Sequence, residues 1–384
     1  MTPPETVLRE LQKQGLYRSL KDSRVCGKTV EVGGVPYKNF AANDYLGISA
    51  DTGLQREFLE MALNGNSFIL SAVSSRLLGG NNPAFSDLEN YFAGLFGKSA
   101  LLLNSGYHAN TGAIPAICAA AEKTLVLCDK LAHASMIDGM LLCGAKWMRF
   151  KHNDLEHLES LLEKNRKDFD NILIVTESVF SMDGDRADIK SLIALKKAYD
   201  ALLYVDEAHS FGVFGETGLG ICSELGAING VDFIMCTLGK AAASEGAIIM
   251  CSREWRELLV NKCRSLIFST AIAPVNAMWT KFVFEKIMGM GGRRRRLAEM
   301  SSALRGMLKN TLGDTQIVPV VLGENDRALK VSEYLWQNGI WAPAVRHPSV
   351  PRGQARLRLS LTSDMDDFDI AECAEKIRKA VASL

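Results

Sequence analysis

The spacing of apolar and polar positions changes three times along the chain. In ETVLRELQKQGLYRSL, Val7, Leu8, Leu11 and Leu16 recur at helical spacing and predict a helix with one apolar side. KTVEV and VPYKNF then alternate around Gly33-Gly34 and predict a hairpin. From about residue 98 short apolar runs take over, at 100–103, 125–128, 147–150, 172–176, 202–205, 233–236 and 247–251, with helical stretches between them. Strands alternating with helices predict a mainly parallel seven-stranded sheet covered on both faces. Such a sheet binds ligands beyond the carboxyl ends of its strands, so Asn104-Ser105-Gly106, Asp129, Glu177, Asp206 and Lys240 mark the place to look. After about residue 285 the pattern changes again. Strand-like segments at 317–322, 341–346 and 355–362 precede a terminal helix, FDIAECAEKIRKAVASL. The expected division is an N-terminal arm with a hairpin (1–50), a large α/β domain (51–284) and a smaller C-terminal α+β domain (285–384).

Composition narrows the partners. Of 384 residues, 47% are hydrophobic and 23% charged, which is enough apolar surface for packed domains and argues against disorder. Lys plus Arg and Asp plus Glu are each 44, so the basic excess expected of a nucleic-acid binder is missing. The arginine run 293–296 accordingly reads as a solvated helix start rather than a polyphosphate patch. No signal peptide and no apolar stretch long enough to span a membrane is expected. Nine cysteines are scattered without a CxxC, an odd number that fits a reducing cytoplasmic setting, and no Cys/His cluster has metal-ligand spacing.

Three segments carry candidate chemistry. In LLYVDEAHSFGVFGETGLG, Asp206 ends a buried strand, where a carboxylate can hold a proton on a cofactor's ring nitrogen. His209 follows on the next turn and would project toward the same pocket. The letters DEAH also occur in helicases, but those need a GxxxxGK[ST] loop. Here the first glycine of each possible loop is replaced, by Asp22 and by Phe92. In DFIMCTLGKAAASEGAIIMCS, Lys240 follows a strand in apolar surroundings, which lower an amine's proton affinity and suit a nucleophile. Thr237 could turn its hydroxyl toward an anion there. In LLLNSGYHANTGAIPAI, a strand turns at Gly106 into a helix beginning near Tyr107, and free N–H groups at such a start bind phosphate.

Together these residues resemble the fold-type I pyridoxal-phosphate (PLP) enzymes, and more narrowly the α-oxoamine synthases. Asn43-Asp44-Tyr45-Leu46-Gly47, Ser75-Arg76-Leu77 with Gly80-Asn81, the stretch VFSMDGD from Val179 to Asp185, Leu266-Ile267-Phe268-Ser269-Thr270, and Val350-Pro351-x-Gly353 with Ala355-Arg356-Leu357-Arg358-Leu359 all match family segments. The likeness runs from about residue 5 to the C-terminus. Two positions depart from the pattern. Ala241-Ala242-Ala243-Ser244-Glu245 stand where the family has glycines after the lysine, and Phe85 stands where it often has a histidine.

The resemblance implies the fold, PLP as cofactor and a set of roles. Lys240 would bond the cofactor's aldehyde, Asp206 would keep the pyridine nitrogen protonated, and His209 and Ser181 would contact the ring oxygen. His133 would stack on the ring, or else be a satisfied core histidine. Gly106, Tyr107 and Thr237 would hold the phosphate, and Ser269 and Thr270 would reach the phosphate of a neighbouring subunit, implying a homodimer with shared active sites. Arg358, preferred over Arg356 on the same strand face, would hold the amino-acid carboxylate, and Asn43 would contact substrate. Arg18 resembles an arginine at the acyl entrance, with an exposed helix residue as the alternative. His152 and His157 read as surface residues. The implied activity is a decarboxylative condensation of alanine with a pimeloyl thioester, carried by coenzyme A or a carrier protein, in biotin synthesis. A glycine-using acetyltransferase of the same family is the alternative, and a non-catalytic phosphate-binding scaffold a remote one.

Overall fold

Short β-branched and apolar runs become strands wherever both faces can be covered. In the computed structural model, which describes residues 2–65 and 68–383, fourteen strands are found among the described residues. They are β1 (Ser23–Cys26), β2 (Thr29–Val32), β3 (Val35–Asn39), β4 (Ser99–Leu103), β5 (Thr124–Asp129), β6 (Lys146–Phe150) and β7 (Asn171–Glu177). There follow β8 (Leu202–Asp206), β9 (Phe233–Thr237), β10 (Ala247–Cys251), β11 (Ile317–Gly323), β12 (Ile340–Trp341), β13 (Ala344–Val345) and β14 (Ala355–Ser360). The chain divides into two units. One draws on residues 51–181 and 185–294, the other on described residues from 1–50, 182–184 and 295–384.

The larger unit holds the seven-stranded sheet, in the order β4-β10-β9-β8-β7-β5-β6. β5 pairs in parallel with β6 and β7, β7 with β8, and β8 with β9, whereas β10 runs antiparallel to both its neighbours. β5 and β10 are buried along their full length, as expected of strands covered on both faces. Val126, Val175, Tyr204, Phe233 and Ile249 pack beneath the helix Gly106–Cys118 through Ala109, Ala113 and Ile117. The parallel register sets Glu177 of β7 beside Asp206 of β8, so two carboxyl groups share one end of the sheet.

The other unit contains a four-stranded sheet, β1-β2-β3-β12, and a three-stranded sheet, β11-β14-β13. The predicted hairpin is β2 and β3, with Val32 opposite Val35. An additional edge strand, β1, is exposed throughout and so had no apolar alternation to announce it. The expected strand 341–346 is in fact two. β12 pairs in parallel with β3, and β13 pairs antiparallel with β14. Pro343 lies between them, lacks the N–H a ladder needs, and separates the two pairings. The first helix runs Pro4–Lys13 with no buried residue, and Leu16 lies beyond its end. Nor is the arginine run a free basic patch. Arg293 pairs with Asp51, Arg296 pairs with Asp367, and buried Arg294 donates to the carbonyls of Ile287 and Met288.

Candidate active site

Strand ends and the turns after them assemble the site in the larger unit. After β4, Ser105 caps the helix Gly106–Cys118. Its Oγ accepts from His108 N at 3.2 Å and its carbonyl from Ala109 N at 2.9 Å. That leaves the N–H groups of Gly106 and Tyr107 without an intrahelical acceptor, as the geometry of a first turn requires. A Cβ added to Gly106 would lie 3.5 Å from both Cβ and Oγ1 of Thr237, so the turn and the end of β9 face each other across a gap one methyl wide. The Tyr107 side chain points elsewhere and donates to Asp138 at 2.5 Å.

Asp206 is 4% exposed, and the donors to its carboxylate are neutral. Asn110 Nδ2 lies 2.9 Å from Oδ2, and Ala208 N lies 2.8 Å from Oδ1. Asn110 is itself fixed by Tyr204 and Ser135, at 2.7 and 2.9 Å. Lys240 Nζ sits 2.8 Å from His209 Nε2, and His209 is buried. Asp206 and Lys240 both act electrostatically on His133 and on Glu177. Solvent reaches His133, yet crowding around its ring still lowers its pKa, with Asp206 opposing and Lys240 reinforcing that shift. His133 also caps the helix Ala134–Leu142 through Nδ1, 3.2 Å from Ser135 N, so it is neither a core histidine nor a free one. Glu177 is driven well above the carboxylate range, first by burial and then by the charge on Asp206. One of its oxygens, Oε1, is buried without a hydrogen-bond partner. Ser181 is buried, Ser269 half-buried and Thr270 exposed, and the Thr270 carbonyl accepts from Asn104 at 2.6 Å.

In the other unit, Asn43 and Arg358 come together. Arg358 Nη1 lies 3.1 Å from Asn43 Oδ1 and 2.8 Å from Ser360 Oγ. Arg356 shares its strand face but is 2% exposed and already engaged by Asp183 at 2.6 Å and the Met182 carbonyl at 3.1 Å. Arg18 is exposed and not helical, and it lines two cavities of about 610 and 540 Å³.

Sequence reading missed the support around these groups. Glu207 of DEAH is a buried anchor that accepts from Ile221 N at 3.0 Å, Cys222 N at 2.7 Å and Ser178 at 2.8 Å. His152, expected at the surface, lies between two aspartates, 2.9 Å from Asp129 and 2.8 Å from Asp185. Its polar neighbours concealed this, because partners distant in sequence leave no local pattern. The alanines replacing the family's glycines still form a tight loop, with Ala243 at φ +45°.

The residues fit PLP. A buried carboxylate held by the neutral donors Asn110 and Ala208 suits a protonated ring nitrogen, the first-turn N–H groups of Gly106 and Tyr107 suit a phosphate, and Lys240 suits an aldehyde. Comparison with known proteins agrees. The model of the family "Aminotransferase class I and II" matches residues 36–377. The chain therefore belongs to the aminotransferase class I and II family, and it is a PLP-dependent transferase of fold type I. Within that family it is similar to the 8-amino-7-oxononanoate synthase of Haemophilus ducreyi, 45% identical over 375 residues, covering 94% of this chain and 96% of that one. Among solved structures, serine palmitoyltransferase from S. paucimobilis, with PLP bound, aligns at 26% identity with a TM-score of 0.89, over 99% of this chain and 98% of that one. The 8-amino-7-oxononanoate synthase of Francisella tularensis aligns at 25% identity with a TM-score of 0.74, over 90% and 98%.

Proposed function

We propose that the protein condenses alanine with a pimeloyl thioester, releasing carbon dioxide and the carrier thiol, and so forms 8-amino-7-oxononanoate for biotin synthesis. The observation that carries this reading is the Lys240 amine held on His209 Nε2, together with buried Asp206 held by neutral donors, in a chain 45% identical to a curated synthase. When bound, PLP supplies an electron sink for the carbanion formed at the amino acid's Cα. Lys240 Nζ would hold the cofactor's aldehyde carbon and, as a free amine, would take and return the proton at the amino acid's Cα. Asp206 would keep the ring nitrogen protonated, His209 and Ser181 would contact the ring oxygen, and His133 would pack on the ring. The N–H groups of Gly106 and Tyr107, with Thr237 Oγ1, bind the phosphate. Arg358, steadied by Asn43, receives the alanine carboxylate, and Arg18 borders the acyl-chain entrance.

Ser269 and Thr270 complete the phosphate site in a second copy of the chain. A dimer is supported by Leu70, Val73, Leu77, Leu78 and Phe268, all exposed on the two segments joined by the Ser75–Thr270 bridge. A reducing cytoplasmic setting suits nine cysteines that are all unpaired. No described helix is long and apolar enough to cross a membrane, and the substrates are small molecules.

The test is a thiol-release assay with alanine and pimeloyl thioesters of coenzyme A and of a carrier protein, against glycine with acetyl-CoA. The alanine and pimeloyl pair should be favoured in kcat/KM by at least about 100-fold on its better carrier. Preference for glycine and acetyl-CoA would overturn the proposal.

A further inference from the structure

We infer that His152 is a positioning residue, an imidazolium clamp that ties the loop carrying His133 to the segment carrying Ser181. The argument begins with the ring's two nitrogens. Nδ1 lies 2.9 Å from Asp129 Oδ1 and Nε2 lies 2.8 Å from Asp185 Oδ2. Ionised carboxylates only accept hydrogen bonds, and neutral imidazole has a single N–H to donate. A neutral ring would set a lone pair against one carboxylate. The doubly protonated ring alone satisfies both contacts.

Each aspartate anchors a different piece of the site. Asp129 is fully buried at the end of β5 and also accepts from Leu131 N at 2.8 Å and Asn153 N at 3.0 Å. It thereby fixes the turn that leads directly into His133. Asp185 closes the loop containing Ser181. Its carbonyl accepts from Phe180 N at 3.0 Å, and Val179 bridges to Arg186. Phe180, adjacent to Ser181, meets the His152 ring edge-on with centroids 4.4 Å apart. Asn153 adds a second tie, with Nδ2 2.8 Å from Asp185 Oδ2. The strongest charge effects on the ring come from these two carboxylates, and against the opposing effect of burial they raise its pKa to about 10. Removing the imidazolium would leave two carboxylates facing each other across a gap, and the two loops would separate.

The functional half of this inference rests on the cofactor placement proposed above, so the test has two arms. In the first, the apoprotein is labelled with 15N-histidine and followed by NMR, the His152 signal being assigned by its loss in His152→Gln. The ring should keep both N–H protons to about pH 8.5. Titration near the ordinary histidine value would overturn the clamp even if the variants fold poorly. In the second arm, PLP-loaded wild type, His152→Gln and Asp185→Asn are diluted and cofactor release is followed by absorbance. Each variant should release PLP about tenfold faster, and the double variant no faster than either single one. Additive effects would overturn a shared clamp. Adding His133→Ala to His152→Gln should change release little beyond His133→Ala alone. Release from His133→Ala at the wild-type rate would overturn the placement of His133 and leave the NMR result standing.

Discussion

Two arginines on one strand face show how burial sorts residues of one type into different tasks. Arg356 and Arg358 both point the same way from β14. Arg356 spends its donors on Asp183 and the Met182 and Gln354 carbonyls. Arg358 is half-buried and held at one edge by Asn43 and Ser360. Arg358→Lys should therefore raise KM for alanine about tenfold or more, with a smaller change in kcat, because a lysine cannot grip a carboxylate with two parallel donors. Arg356→Ala should instead lower stability by roughly 3 kcal/mol or more, by emptying a buried position and stranding the Asp183 carboxylate and the Met182 carbonyl. Steady-state kinetics and denaturant melts on both variants separate the two roles, and the reverse assignment would appear as exchanged phenotypes. The motif pattern singled out Arg358, but only the Asp183 contact explains why Arg356 is unavailable. Asp206, Lys240 and His209 were legible because they follow recognisable strands at fixed spacing. Asn110, Glu207 and His152 were not, because each acts through partners far away in the chain.

Elements record compromises that single residues do not. The loop Lys240–Ala243 closes with Ala243 N donating to the Lys240 carbonyl at 2.9 Å and with Ala243 at φ +45°, where an L side chain is strained. Left-handed backbone costs an alanine about 1–2 kcal/mol, while a glycine loosens the unfolded chain by about 0.4–1 kcal/mol. Ala243→Gly should thus stabilise by about 0.5–1 kcal/mol, read as a small rise in melting temperature. Unchanged or lowered stability would show that the alanine packs well enough to offset its strain. The strands of the large sheet were legible because buried parallel strands form continuous apolar runs, whereas β1 is exposed throughout and β12 and β13 are two residues each.

The His152 bridge gives an element-scale pH dependence whose sign can be fixed. Its pKa is raised on folding to about 10, so its stabilisation is complete below the ordinary histidine value of about 6.5 and fades as pH rises toward 10. Denaturant melts between pH 6.5 and 10 should show wild type losing stability with rising pH by a few kcal/mol at most. His152→Gln should show a flatter profile over that window. A wild-type curve as flat as the variant's would contradict the raised pKa.

At the scale of the whole molecule, the question is whether one chain holds a complete site. Phe268 and Thr270 are exposed on either side of Ser269, and the neighbouring segment presents Leu70, Val73, Leu77 and Leu78 to solvent. Apolar surface in that quantity is normally covered by a partner, and in the two-fold pairing proposed above each copy's Ser269-Thr270 serves the other's phosphate site. Mixing inactive variants tests this directly. Lys240→Ala removes the reactive amine, and Thr270→Asp sets a negative charge against the phosphate. If the sites are shared, random exchange of equal amounts makes about half of the dimers mixed, and each mixed dimer carries one site with both residues intact. Activity should then recover to about a quarter of wild type, from two preparations that are each inactive. If Lys240 and Thr270 serve the same site from the same chain, every site in the mixture keeps one defect and nothing recovers. The mixing experiment therefore distinguishes a shared site from a self-contained one.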